Sequence, residues 1–347
     1  LKFKFIVGAL CTVLLISTSA QAATKPVTIK LAKPLVVSTL AGSEGDGISA
    51  ALLTSSAIII SGTVEGTGGS WVSSASLGGT DGFVTAIDFS GTHLWDLRLG
   101  GAGDEIASAV AKDKTGNIWV IGSSTVVAAT PSATPSATPS ATPSATPSAT
   151  PSATPSATAS PVVTGIPNPD GVVVDPATSA TVGLTRLMVW KISRSGALLS
   201  SYYFDAPATI NPKALTFDGT NFTVIGQIAS GNSFKDFSLP FDAAGTFGLL
   251  LQTKAVSIPA TSVVTVAAGS NFWRIFTASK PIPGLAAWKP KKPTVVAVEY
   301  SKAGRLIDAR SLGVAPKISL WQRVPGLVLL SEQTGGFGLT IVTPLAR

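Results

Sequence analysis

Reactive side chains are scarce in this chain: one cysteine, one histidine and one methionine in 347 residues, with charged residues at only 12%. A lone thiol, Cys11, cannot close an intrachain disulfide or build a thiolate metal site, which needs several ligands at short spacing. A lone imidazole, His93, excludes clustered-histidine metal centres and makes any Ser-His-Asp arrangement depend on one residue. That residue follows the Gly91 turn, a position expected to be exposed rather than catalytic. No metal and no cofactor are expected from this inventory.

What is present begins at the N-terminus. Lys2 and Lys4 precede the apolar run Phe5 to Ser17, and small residues lead to Ala20-Gln21-Ala22. This is the tripartite pattern of a secretory leader, residues 1–22, with cleavage expected after Ala22. The run is too short to span a bilayer comfortably, so the remaining chain, 23–347, is expected to be secreted or surface-associated and not membrane-spanning. Gly8-Ala9-Leu10 before Cys11 does not fit a lipidation signal, so the only thiol would leave with the leader.

Removing Lys2 and Lys4 takes the formal net charge from +7 to +5. From Trp273 to Arg323 lie Arg274, Lys280, Lys289, Lys291, Lys292, Lys302, Arg305, Arg310, Lys317 and Arg323, against Glu299 and Asp308. Such a stretch is either a patch for an anionic polymer or a solvated strand face. The solvated face is favoured, because single charges alternate with apolar residues. Nucleic acid is not an expected partner of an exported chain without a binding motif.

Five segments read as an apolar run, a turn and a second run: ISAALLTSSAIIISG, IASAVAKDKTGNIWVIG, NPKALTFDGTNFTVIG, SVVTVAAGSNFWRIFTAS and ISLWQRVPGLVLLS. Their turns hold Gly, Asn, Asp, Ser or Pro, residues suited to tight turns between strands. Ala50, Ala51, Ala107 and Ala109 suit a crowded centre. Outer hairpins appear as GFVTAIDFSGTHLWDLRL, RLMVWKISRSGALLSSYYF and VVAVEYSKAGRLIDARSL, turning at Gly91, Gly196 and Gly304. In the last, Val296, Val298 and Tyr300 alternate with Ala297 and Glu299. A fourth copy, around Lys235 to Thr261, can be aligned in two registers; the one with Gly245 as turn glycine is preferred because it leaves KAVSIPAT as a connector.

Repeats of this shape predict an all-β propeller of about five four-stranded antiparallel blades in a single domain. The fifth unit lacks its outermost strand, and Pro34 to Leu40 are expected to supply it and close the ring. The best-preserved copy, Asp81 to Gly122, resembles the bacterial SBBP-type propeller repeat, whose pattern is D-x-F-V, D-x-S-G, L-W, L-G-G-x-x-D-E, A-x-A-V and G-N-x-Y-V-x-G. The resemblance implies an exported propeller and carries no catalytic residues with it.

A loop, residues 128–183, interrupts the second sheet. Within it, residues 129–161 form an ATPS array with proline at every fourth position from Pro131 to Pro155. Such a segment has no large apolar side chains for a core, favours polyproline II and is expected to be a disordered, extruded loop. Its Thr and Ser beside Pro resemble an O-glycosylated stalk; a tolerated repeat expansion is the other reading.

Candidate sites are few. Asp46, Asp104 and Glu105 lie in the connectors entering the first two inner strands, with Glu44 nearby. They are the only candidates for a carboxylate pair of the kind glycoside hydrolysis needs, or for Ca²⁺, but Asp beside Gly is also a turn residue, the favoured reading. Trp288 with Lys289, Lys291 and Lys292, in GLAAWKPKKP, would suit carbohydrate or partner contact. Two functions follow: a monomeric, non-enzymatic surface or envelope interaction module, binding a cell-envelope glycan, an anionic polymer or another surface protein; or an extracellular polysaccharide hydrolase or lyase using those carboxylates.

Overall fold

The computed structural model describes residues 27–32, 36–38, 46–101, 103–125, 185–230, 232–253, 264–285, 288–333 and 336–343. Two short strands come first, β1 (Ile29–Ala32) and β2 (Val36–Ser38). Blade one is β3 (Gly47–Leu53), β4 (Ala57–Glu65), β5 (Thr80–Asp88) and β6 (His93–Leu99). Blade two is β7 (Glu105–Lys112), β8 (Ile118–Thr125), β9 (Thr185–Ile192) and β10 (Leu198–Phe204). Blade three is β11 (Ile210–Phe217), β12 (Phe222–Ser230), β13 (Ser233–Phe241) and β14 (Leu251–Thr253). Blade four is β15 (Val264–Ala268), β16 (Asn271–Ala278), β17 (Thr294–Ser301) and β18 (Leu306–Leu312). Blade five is β19 (Ile318–Gln322), β20 (Gly326–Gln333), β21 (Gly336–Val342) and, from the other end of the chain, β2.

The five predicted inner hairpins are thus the first two strands of five sheets. Their first strands form the hub: β3 touches β7, β7 touches β11, β15 touches β19, and β19 touches β3. β2 pairs antiparallel with β21, Val37 opposite Gly338, so the ring closes through the N-terminal segment as expected. Gly245 is the turn glycine of blade three, and β14 pairs with Asp236 to Ser238, which resolves the register of that unit. Its proposed connector, KAVSIPAT, lies outside the described residues. The expectation of four strands per blade needs one correction: β1 adds a fifth, parallel strand to blade four, Ile29 opposite Ala309. It satisfies part of the β18 edge that would otherwise be left without a ladder partner.

The ATPS array lies outside the described residues, but its exit and return are fixed. Thr125 and Thr185, which flank the insert, are cross-strand partners in β8 and β9.

Local chemistry explains why these residues make these strands. DFSGT, DKTGN, SRSGA, DAAGT and SKAGR form the same turn five times. The N–H of each turn glycine, Gly91, Gly116, Gly196, Gly245 or Gly304, donates to the carbonyl of the leading Asp or Ser. The leading side chain then accepts from the N–H of the residue after glycine in all five. Each of these glycines has a left-handed φ, between 77° and 89°, which a side chain would strain.

A second recurrence lies within the sheets. β3, β7 and β11 each bulge after their second or third residue, and Gly62, Gly122 or Gly226 stands opposite the bulge. A Cβ there would run into the backbone carbonyl of Gly47, Ile106 or Asn211, which is why three second runs end in glycine.

The core is a set of seams between blades. Ile58, Ile60 and Phe83 pack on Val328, Leu330 and Leu339 between blades one and five. Ile59, Val84 and Ala86 pack on Val120, Trp190 and Ile192 between one and two. Trp119, Ile121 and Val189 pack on Phe222, Val224 and Leu239 between two and three. Trp273, Ile275 and Ala297 pack on Leu327, Leu329 and Val342 between four and five. Among the described residues no buried cluster joins blades three and four. The other face of blade four packs instead on Ile282 and Leu285, with Val27, Ile29 and Trp288 against its margin.

Candidate functional site

The three carboxylates singled out in the sequence serve the backbone. Asp46 Oδ1 accepts from the N–H of Glu65 at 2.7 Å, tying the entry of β3 to the end of β4. Asp104 Oδ1 accepts from the N–H of Thr80 at 3.0 Å, and Thr80 donates its hydroxyl to Glu65. Glu105 is buried, with Ser124 donating to one oxygen at 2.7 Å and the N–H of Gly101 to the other at 3.0 Å. They therefore sit along one stretch at the seam of blades one and two, where they fasten strand ends. Glu44 lies outside the described residues.

Beneath them is an ion pair that sequence reading missed. Arg98 Nη1 meets Asp81 Oδ2 at 2.7 Å, both side chains almost wholly excluded from solvent. Arg98 also donates to the carbonyls of Gly66 and Ser74, while Asp81 accepts from the N–H of Leu77. Asp81 and Arg98, the residue just before Leu99-Gly100-Gly101, thus form one clasp between β5 and β6.

His93 does not belong to a nucleophilic triad. Its Nε2 lies 3.0 Å from Asp96 Oδ1, but Ser73 and Ser74 donate their hydroxyls to Asp96, each at 2.6 Å. Nucleophile activation needs the serine hydroxyl on the imidazole, and here it is on the carboxylate. Burial pushes the Asp96 carboxyl up, yet the serine hydrogen bonds outweigh it and hold the group at about 2.

The opening with mixed chemistry is on blade four. Phe272, Arg274, Pro283, Gly284, Tyr300, Gly304 and Leu306 line a cleft of about 460 Å³. Cross-strand register puts Phe272 opposite Tyr300 and Arg274 opposite Val298, so one face of β16 and β17 forms the floor. The rings of Phe272 and Tyr300 stack with centroids 5.7 Å apart and planes inclined by 26°. The Arg274 guanidinium lies 5.5 Å from the Phe272 centroid, within cation–π range. Burial pushes the Tyr300 phenol up from its ordinary value, and the nearby Arg274 charge opposes it. A flat apolar floor beside an exposed guanidinium can take a ring that carries an acidic group.

The binding residues expected from the sequence, Trp288 and the lysines after it, are not among the residues that line this cleft. Trp288 is half-buried, packed with Tyr300 and Leu306 against the same apolar cluster, and does not line the cleft. Lys289, Lys291 and Lys292 are exposed and follow it in the chain. The cleft's own turn supplies two further exposed cations, Lys302 and Arg305, on either side of Gly304. Arg310 instead pairs with Asp308 at 2.8 Å, and Lys317 with Glu332, so these two belong to local ion pairs. The alternation of Val296, Val298 and Tyr300 was the one signal that could have found the floor.

No family profile matches the sequence, and no curated protein matches it. Among solved structures the chain is similar to the haemagglutinin-neuraminidase ectodomain of parainfluenza virus 5, at 10% identity over 91% of this chain and 66% of that one, TM-score 0.37. It is also similar to a protein of unknown function from Dyadobacter fermentans, at 9% identity over 91% and 84% of the two chains, TM-score 0.36. A third is an α-L-arabinofuranosidase from Clostridium thermocellum, at 10% identity over 77% and 93%, TM-score 0.23. The chain spans just under two thirds of the viral ectodomain, and the propeller assignment stands on this chain's own strand pairing.

Proposed function

We propose that this chain is an exported, SBBP-type propeller that acts as an envelope or surface interaction module, binding acidic glycan through the blade-four cleft. The observation that carries this reading is the cleft itself: a stacked aromatic pair and a guanidinium share one opening of about 460 Å³, a size suited to one or two sugar units. Exposed Lys302 and Arg305 beside it, and Lys289, Lys291 and Lys292 in the neighbouring segment, add the field that draws a polyanion in. Binding is preferred over hydrolysis because Asp46, Asp104 and Glu105 are committed to hydrogen bonds with strand ends rather than directed at this cleft. In this reading residues 1–22 are the export leader, 23–347 form one domain, and the ATPS array projects from blade two.

The test is titration of the protein with an oligohexuronate and with the same oligomer after reduction of its carboxyls. Arg274→Gln should weaken acidic-oligomer binding by about tenfold or more, as expected for a lost charge-assisted hydrogen bond. Unchanged affinity in Arg274→Gln and in Tyr300→Ala would refute the assignment of the site.

A further inference from the structure

The cleft occupies a place in the ring that is filled elsewhere. Gly196 and Gly245 are the outer-hairpin turn glycines of blades two and three, and each is covered by an aromatic ring from the preceding blade. A Cβ built on Gly196 would fall 2.6 Å from the Trp95 ring of β6, and one built on Gly245 would overlap the Tyr202 ring of β10. The Trp95 indole also donates to the carbonyl of Arg194, in the turn it covers. Gly304 is the same glycine in blade four, with the same turn and φ of 77°, and a Cβ there meets no described residue within 4 Å.

Blade three explains the vacancy. Trp95 stands four residues after Gly91, and Tyr202 stands six after Gly196. The residues four and six after Gly245 are Leu249 and Leu251, which are 65% and 51% exposed. Neither aromatic position of blade three carries a ring, and neither leucine is buried, in keeping with the absence, among the described residues, of a buried cluster between blades three and four.

Resting on the glycan-binding reading, we infer that the blade-four cleft is the vacant aromatic seat of this seam. Its occupant is a hexuronic acid unit whose apolar ring face stands over Gly304 and Tyr300, where Trp95 and Tyr202 stand in the preceding seams. Its carboxylate faces Arg274, the one charged side chain among the described residues that line the cleft. Leu249 and Leu251 are not among the residues that line the cleft; by not being aromatic, they leave the seat to the ligand.

The experiment supplies the missing ring in cis. Leu251→Tyr and, separately, Leu249→Trp are titrated with oligohexuronate beside the wild-type chain and Leu251→Ala, with thermal melting of each. Expected is a loss of affinity of tenfold or more in at least one aromatic variant, with a raised melting temperature in that variant, and near wild-type binding in Leu251→Ala. If both aromatic variants fold and bind like wild type, the seat is not the binding position and the inference falls. Arg274→Gln still weakening binding would then leave the broader reading standing. No binding of wild type to acidic or neutral oligomer overturns both. A variant that fails to melt cooperatively is judged by the other, since Leu249 precedes β14 and Leu251 opens it, so the two rings reach the seat from different backbone positions.

Discussion

Arg98→Met should be among the most damaging substitutions away from the hub. The arginine side chain is 1% exposed and that of Asp81 is 0% exposed, so the change leaves a carboxylate in the seam without its cation. Two carbonyls, of Gly66 and Ser74, lose a donor at the same time. Breaking one side of a buried pair typically costs about 3–5 kcal/mol, because the remaining charge is desolvated and uncompensated. Replacing both partners removes that charge, so Asp81→Asn combined with Arg98→Met should cost less than the sum of the two by about 2 kcal/mol or more. The assay is urea unfolding of the four species by tryptophan fluorescence and far-ultraviolet circular dichroism, with coincident transitions required before the free energies are compared. A loss below about 1 kcal/mol in Arg98→Met, or simple additivity in the cycle, would refute the clasp as a source of stability.

Gly122→Ala should destabilise by about 1–3 kcal/mol, since its methyl would meet the Ile106 carbonyl at the β7 bulge; urea midpoints check this, and no change would mean that the bulge relaxes freely. Acid should weaken the fold through Asp96 and Asp113. Burial raises both, but hydrogen bonds from Ser73 and Ser74, and from Thr115, Trp119 and Asn117, hold each at about 2 against an ordinary 3.8. Because the folded value is the lower one, the stabilisation is present above about pH 4 and is lost as pH falls through about 2, at about 1 kcal/mol per group after solvent screening. Urea midpoints at pH 5 and pH 2.5 measure it, and Asp113→Asn should flatten part of the slope. A chain begun at residue 46 lacks β1 and β2, so it should melt lower and self-associate through the β21 and β18 edges, read by light scattering; an unchanged monomer would show those edges to be harmless.

Much of the architecture was legible because each blade repeats short-range signals: an apolar run, a turn residue, a second run. Ring closure was legible too, since the fifth unit was one strand short and Pro34 to Leu40 stand before an inner strand as THLWDLRL does in the next unit. The parallel pairing of β1 was not, because four residues of a lone edge strand carry no period that names a partner. The half-burial of Trp288 was not legible for a related reason. Its loop, GLAAWKPKKP, reads as polar, but Ile282 and Leu285 just before it pack on blade four and bring the tryptophan against that cluster. Phe272 and Arg274 were not singled out because the cleft they line depends on cross-strand register, Phe272 opposite Tyr300 and Arg274 opposite Val298, which no local pattern names.

The N-terminal closure has a consequence for the order of folding. Val37 and its partner Gly338 are 301 residues apart, whereas Ile87 and His93 in the β5–β6 hairpin are six apart. Loop-closure entropy rises as the logarithm of that separation, so joining β2 to β21 costs about 3–4 kcal/mol more than closing a hairpin. Blades built from neighbouring hairpins can therefore assemble early, while the segment that opens the described chain waits for the last sheet to exist. Pulse-labelled amide exchange would see this as late protection of β2 and β21 after the hairpins are already formed, a clock set by topology rather than by the strength of any one contact.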